Sequence, residues 1–257
     1  MTIAAAVLLA AVIPASAKSG VTKNYNFKNF TGLSVSGAID VELTQSDTFE
    51  VSMTMPSDYV PYFKISVNRG VLKAGFEDLP RKLRNYMSDE TFQLSVKMPE
   101  VTEIDMSGAT RLSAEGGFVM PSGKLEIDAS GAASIRNFAI TAEELEVELS
   151  GASNLDMDLR CRKVEIDASG ASKADLKGEA DDFRLELSGA SNTDSRDLSA
   201  KDVDVELSGA CRARVTVLRS LKVDMSGASR MDYYTEGPIE LDIEDISGAC
   251  SFRKGNK

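Results

Sequence analysis

Residues 164–171 read Val-Glu-Ile-Asp-Ala-Ser-Gly-Ala, and the same cadence returns as Phe-Arg-Leu-Glu-Leu-Ser-Gly-Ala at 183–190, Val-Asp-Val-Glu-Leu-Ser-Gly-Ala at 203–210 and Leu-Lys-Val-Asp-Met-Ser-Gly-Ala at 221–228. Five, three and one residues before each Ser the side chain is apolar, and the residues between are charged. Alternation with a period of two puts the apolar side chains on one face of a half-buried strand. The Gly that follows fits a bend, a positive φ or a close approach of neighbouring backbone.

Outward from these four copies, Ser-Gly-Ala occurs nine times, at Ser36, Ser107, Ser130, Ser150, Ser169, Ser188, Ser208, Ser226 and Ser247. From Ser107 onward the intervals are 23, 20, 19, 19, 20, 18 and 21 residues. A fixed period of this size is the signature of a stacked repeat. Five residues after the Ser, a second and weaker alternation starts at Leu112, Ile135, Leu155, Ala174, Met231 and Phe252, and turns are expected at segments such as 177–179, 196–197 and 236–238. No segment shows a 3.6-residue apolar period, and the Asn/Cys ladder of a leucine-rich repeat is missing. The fold class that fits is all-β: a parallel β-helix solenoid of ~20-residue coils, each stacked at about 4.8 Å on the last. The final repeat, 241–246, holds one extra residue before its Ser, which reads as a β-bulge.

Residues 18–100 depart from the rhythm and read as an irregular N-terminal β subdomain that enters and caps the stack. Strands are expected at 48–55, 62–67, 71–76 and 92–98, with an exposed basic loop at 80–85. The β-helix proper spans 101–252, followed by a short basic tail, 253–257. Residues 1–17 are uncharged and end in Ala15-Ser16-Ala17, which reads as a signal peptide with a small-residue cleavage site. Its apolar run is shorter than the ~18–20 residues of a membrane span, and no Lys or Arg precedes it. The chain is therefore expected to be exported, to the periplasm or the cell surface.

Composition narrows the function. The 257 residues carry 40 Asp and Glu against 29 Lys and Arg, a net charge of −11. That sign disfavours nucleic acid as a partner, because phosphate binding needs a basic stripe. There is no His, which removes imidazole acid/base catalysis, His-based nucleophile triads and most zinc sites. Trp is also absent. The three cysteines, Cys161, Cys211 and Cys250, form neither a disulfide framework nor a CxxC site. Cys211 and Cys250 share the position three after the Ser with Thr110, Ala133, Ser153, Ser172, Ser191 and Ser229, which implies a tight, partly buried slot.

The candidate binding residues are acidic. Two before the Ser stand Asp105, Asp128, Glu148, Asp167, Glu186, Glu206, Asp224 and Asp245. A second column, four before the Ser, holds Glu103, Glu126, Glu146, Glu165 and Asp204, interrupted by Arg184 and Lys222. Carboxylates stacked one coil apart repel by roughly 0.9 kcal/mol per pair even in water. Neighbouring cations, or calcium as the one cofactor this column could take, would offset that. The spacing matches no EF-hand or nonapeptide calcium loop. A solubilising face that discourages lateral sheet pairing is the plainer alternative.

Phe30 to Gln45, the segments Val67–Lys73 and Val96–Val101, and the Ser-Gly-Ala repeats together resemble the auto-transporter adhesin head GIN domain family over about residues 25–250. The Gly-Ile-Asn signature reads Gly37-Ala38-Ile39-Asp40 here, and no barrel-forming translocator is expected among these residues. The resemblance implies a β-helical bacterial surface protein and no functional residue. The expected function is a non-enzymatic exported β-helix, an adhesin or surface binding module presenting a repetitive acidic face to a glycan or surface protein. Two alternatives are a self-assembling envelope scaffold, homo-oligomeric through its thinly capped C-terminal end, and a polysaccharide-active enzyme. The uniformity of the repeats speaks against the enzyme, since an active site normally breaks one coil with long loops.

Overall fold

The structure, a computed structural model, describes residues 20–256. The expected signal peptide, 1–17, lies outside them. The chain is nearly all β and winds into a parallel solenoid of about 8 turns, as its period predicts. The strands are β1 (Gly20–Tyr25), β2 (Gly32–Gly37), β3 (Asp40–Gln45), β4 (Glu50–Pro56), β5 (Phe63–Asn68), β6 (Val71–Phe76), β7 (Gln93–Met98), β8 (Glu103–Gly108), β9 (Arg111–Glu115), β10 (Phe118–Ala129), β11 (Ser134–Leu149), β12 (Asn154–Ala168), β13 (Lys173–Leu187), β14 (Asn192–Leu207), β15 (Arg212–Met225), β16 (Arg230–Tyr234), β17 (Glu240–Ile246) and β18 (Ser251–Lys254).

Successive coils pair in parallel, and the columns read from the sequence are the observed ladder. Ile127 lies beside Val147, Val147 beside Ile166, Ile166 beside Leu185, Leu185 beside Val205 and Val205 beside Val223. The second alternation stacks likewise, from Leu112 through Ile135, Leu155 and Ala174 to Met231 and Phe252. These columns point inward and form one continuous core.

Coil lengths vary, yet the Ser-Gly-Ala corner never slips. Register shifts fall at Met120/Lys124, Ile135/Phe138, Asp175/Lys177, Ser195/Ser199 and Ala200/Asp202, away from the corner. A slip of one residue beside it would turn every apolar side chain outward. The exception is the predicted bulge: Val223 pairs with Ile243 and Asp224 with Asp245, leaving Glu244 as the extra residue.

Two local expectations need correction. The turns expected at 177–179 and 196–197 are bends inside the unbroken strands β13 and β14; Gly178, at φ +113°, lets β13 turn without ending. The basic loop contains one turn of helix, α1 (Arg81–Arg84), with its three cations exposed.

At the N-terminal end β2 sits between β6 and β8, and β3 between β7 and β9, all parallel. The outer edges are then taken by antiparallel strands: β5 on β6, and β4 on β7 with β1 beyond it. Tyr59, Phe76 and Phe92 pack edge to face beneath this layer, with Tyr59 and Phe92 centroids 4.8 Å apart.

Candidate functional site

Because the residues one, three and five before each Ser point into the core, those two and four before it must point out, and the Ser shares their parity. The structure brings all eight members of the acidic column into one ladder: Asp105 beside Asp128, then Glu148, Asp167, Glu186, Glu206, Asp224 and Asp245 in turn. At the first rung Ser34 replaces the acid and donates from Oγ to Asp105 at 2.9 Å.

The corner makes this ladder one wall of a groove. Asp128, Glu148, Asp167, Glu186, Glu206 and Asp224 face Ser130, Ser150, Ser169, Ser188, Ser208 and Ser226 along a cleft of about 630 Å³. Each rung thus offers one carboxylate and one hydroxyl. The serine wall was not singled out as a binding element from the sequence, although its equal parity with the acids was the available signal. Ser130, Ser169 and Ser226 reach back only loosely, at 3.4 Å, to a carbonyl of the preceding coil.

The charge is offset at Glu186 and Glu206 and, among the described residues, left without an ion pair on the other rungs, Asp224 at the far end included. Arg184 donates through Nε to Glu186 at 2.7 Å, and its Nη2 reaches Glu206 at 3.1 Å. Glu146 is held by Lys124, and Glu165 by Lys163 at 3.3 Å. Among the described residues no salt bridge reaches Asp128, Glu148 or Asp167. Burial, reinforced by Glu148, Glu126 and Asp105, pushes the Asp128 carboxyl above its ordinary value. Asp167 is raised in the same way by burial, Glu186 and Glu165, with Arg184 partly opposing. Among the described residues no three acidic or thiol side chains converge closely enough to hold a metal ion.

The glycine corner itself is structural. Gly131, Gly151, Gly170 and Gly189 all sit at φ between +71° and +76°. Each Ala after the Gly donates its N–H to the Gly carbonyl one coil back, as Ala171 does to Gly151 at 2.7 Å. The Ala methyl itself faces solvent. The slot three after the Ser is buried from Thr110 to Ser229, half-buried at Cys250, and has a specific partner. Thr110, Ser153, Ser172, Ser191 and Ser229 each donate to the carbonyl of the Ser three residues earlier, at 2.6–3.0 Å. Cys211 and Cys250 place Sγ 3.1 Å from the same carbonyl. Burial raises the Cys211 thiol, and the three cysteines are unpaired.

The sequence profile described as "Putative auto-transporter adhesin, head GIN domain" matches residues 29–237. The chain belongs to this family. Among solved structures, the head GIN domain here superimposes on a "putative adhesin" from Parabacteroides merdae with TM-score 0.82 at 18% identity, over 92% of this chain and 96% of that one. A "Putative lipid binding protein" from Parabacteroides distasonis gives TM-score 0.82 at 16% identity, over 92% and 97%. A second P. distasonis protein, a "putative adhesin", gives 0.79 at 18%, over 91% and 97%. At these identities the likeness establishes the shared solenoid. No curated protein matches the chain. No helix among the described residues is long and apolar enough to cross a membrane.

Proposed function

We propose that this head GIN domain is a non-enzymatic, exported binding module of adhesin type, and that the acidic and serine-lined groove is its contact face. The observation that carries the reading is the groove's uniformity: six successive rungs each present a carboxylate and a hydroxyl in register. An extended ligand of repeating chemistry, such as a surface glycan or a cationic protein segment, can meet such a face at many rungs, so that modest contacts add along its length. No coil from 107 to 250 breaks the pattern with a long loop, which supports binding over turnover. Calcium enters this reading only as a bridge between rungs and ligand.

The test is binding of the chain to a glycan and matrix-protein array, with calcium and with a chelator, beside the variant Glu186→Gln/Glu206→Gln. Selective binding that the variant loses is expected. Binding that survives the variant, or none on either array, overturns the reading, and loss in chelator alone assigns a cation to the groove.

One observation favours a second reading, an end-to-end scaffold. Leu241, Ile243 and Ile246 are 41%, 45% and 37% exposed, while their neighbours one coil earlier, Leu221, Val223 and Met225, are at most 1% exposed. The last coil leaves the core open, and a second copy of the chain would close it.

A further inference from the structure

The last described corner is intact: Gly248 sits at φ +80°, and Ala249 donates its N–H to the Gly227 carbonyl at 2.7 Å, as in the coils before it. On either side of this corner β17 and β18 each pair along one edge only, with β15 and β16. Their inward columns continue the core. Leu241, Ile243 and Ile246 stand beside Leu221, Val223 and Met225, and Phe252 beside Met231, while Cys250 takes the slot that Ser229 fills one coil earlier. Ser229 and Met231 are buried; Cys250 and Phe252 are only half so.

The two strands carry opposite charge. β17 presents Glu240, Asp242 and Asp245, and β18 presents Arg253 and Lys254. Among the described residues Glu240, Asp242, Asp245 and Lys254 form no ion pair. Arg253 holds Asp232 at 2.9 Å, and the bulge residue Glu244 is drawn aside by Lys222 at 3.2 Å. An occupant of this end must therefore supply two apolar strand edges at once, with cations over β17 and carboxylates over β18.

We propose that the occupant is a second copy of this chain, related by a two-fold axis through Gly248. The proposal deepens the scaffold reading above and rests on it. The axis lays β17 of each copy antiparallel on β18 of the other. Counted outward from Gly248, Ile246 faces Cys250 of the second copy and Asp245 faces its Ser251. β18 then skips Glu244, as β15 already does, so that Ile243 faces Phe252 and Asp242 faces Arg253. Inward residues meet inward residues, acid meets cation, and the symmetry repeats each contact on the other side of the axis. Both open edges, otherwise templates for indiscriminate pairing, are closed together.

The test is disulfide mapping in the full chain, beside sedimentation. Residues directly opposed in an antiparallel pair stand about 4.5–5.5 Å apart between Cα atoms, within the range of about 4.4–6.8 Å that a disulfide spans. Ile246→Cys, treated with oxidised glutathione as the electron acceptor, is expected to give a covalent dimer bridged from position 246 to Cys250 of the second copy. Ile246→Cys/Cys250→Ser should form no such bridge alone and should form it when mixed with the unaltered chain. Ile243→Cys, which faces Phe252, should cross-link no more than the unaltered chain. Ile246 is exposed, and far-UV circular dichroism checks that each variant folds. A chain that dimerises in sedimentation but bridges as readily from 243 as from 246, or from neither, overturns the two-fold register and leaves the scaffold reading standing. A chain that stays monomeric overturns both.

Discussion

Ser153 Oγ donates to the carbonyl of Ser150 at 2.7 Å, across the turn that Gly151 opens at φ +72°. The two residues solve one problem. Gly151 turns the strand through a corner that L side chains resist, and that turn points the Ser150 carbonyl toward the chain three residues on. The hydroxyl of Ser153, wholly buried, then closes the loop locally. Ser, Thr or Cys fills this slot with the same contact in seven coils and Ala133 fills it without a donor in one; at Ser153, where the hydroxyl is present, replacement by Ala is expected to cost about 1–2 kcal/mol, and by Cys clearly less. Urea unfolding of the two variants measures the difference; equal costs would mean that the slot is selected for volume and not for its donor.

The corner glycines should be far less replaceable than glycines with the same backbone angle elsewhere. A Cβ on Gly170 would lie 2.5 Å from the Gly151 carbonyl oxygen, a backbone atom that cannot move without disturbing the next coil. Gly70 has nearly the same φ, +80°, but a Cβ there meets nothing within 4 Å. Gly70→Ala is expected to cost about 1–2 kcal/mol for its left-handed conformation alone, and Gly170→Ala appreciably more, because overpacking is added to it. Thermal or denaturant unfolding of both checks the ordering.

Much of this was legible from the columns of residues. Eight coils repeat one problem, so register could be counted without knowing the structure, and the bulge at Glu244 followed from a single extra residue. The N-terminal layer was less legible, because the antiparallel placement of β4 and β5 depends on long-range pairing that no local period encodes. Which carboxylates of the acidic column are ion-paired was not legible at all: Arg184 reaches Glu186, Glu206 and Glu165, and that is a property of side-chain geometry across three coils.

The acidic groove predicts an unusual pH dependence. Asp128 and Asp167 are held above the ordinary carboxylate value of 3.8, first by burial and then by neighbouring carboxylates. The folded state therefore binds their protons more tightly than the unfolded state, and stability falls as pH rises from about 3.8 through the raised values. Asp194 opposes this: although burial pushes its carboxyl up, its bonds to Arg196 and Arg214 bring it below 3.8, and its contribution is lost as pH falls below that value. The variant Asp128→Asn/Asp167→Asn is expected to remove the decline on the alkaline side and leave the acid limb intact. Unfolding free energies across this range decide it, and an unchanged profile would show that the column does not strain the fold.

Arg184 should matter more than an ordinary surface arginine, whose ion pairs contribute about 0–1 kcal/mol. It stands in the second column and serves Glu186, Glu206 and, at 4.0 Å, Glu165. Arg184→Ala leaves these three carboxylates facing one another, and a loss of about 1–2 kcal/mol at low salt is expected. Because the groups are half exposed, most of that loss should vanish near 1 M salt, where screening acts over about 3 Å. Denaturant midpoints at the two salt concentrations test it; a loss independent of salt would place Arg184 in packing instead.

The open last coil predicts self-association. The exposed column Leu241, Ile243 and Ile246 needs an apolar partner, and among the described residues the N-terminal end, covered by β1, β4 and β5, offers no comparable surface. A second copy's own open end does. Pairing β17 with β17 would set Glu240, Asp242, Glu244 and Asp245 against themselves, which like-charge pairing disfavours. A two-fold axis through the last Ser-Gly-Ala corner instead lays β17 of one copy antiparallel on β18 of the other, so that these acids meet Arg253 and Lys254 and both open edges are paired at once. Such an isologous contact closes on itself and makes dimers, not filaments. Sedimentation of the chain over the micromolar range should show a dimer that Ile243→Asp dissociates and that weakens with salt. A monomer at all concentrations, or fibres that lengthen with concentration, would remove the scaffold reading in its two-fold form.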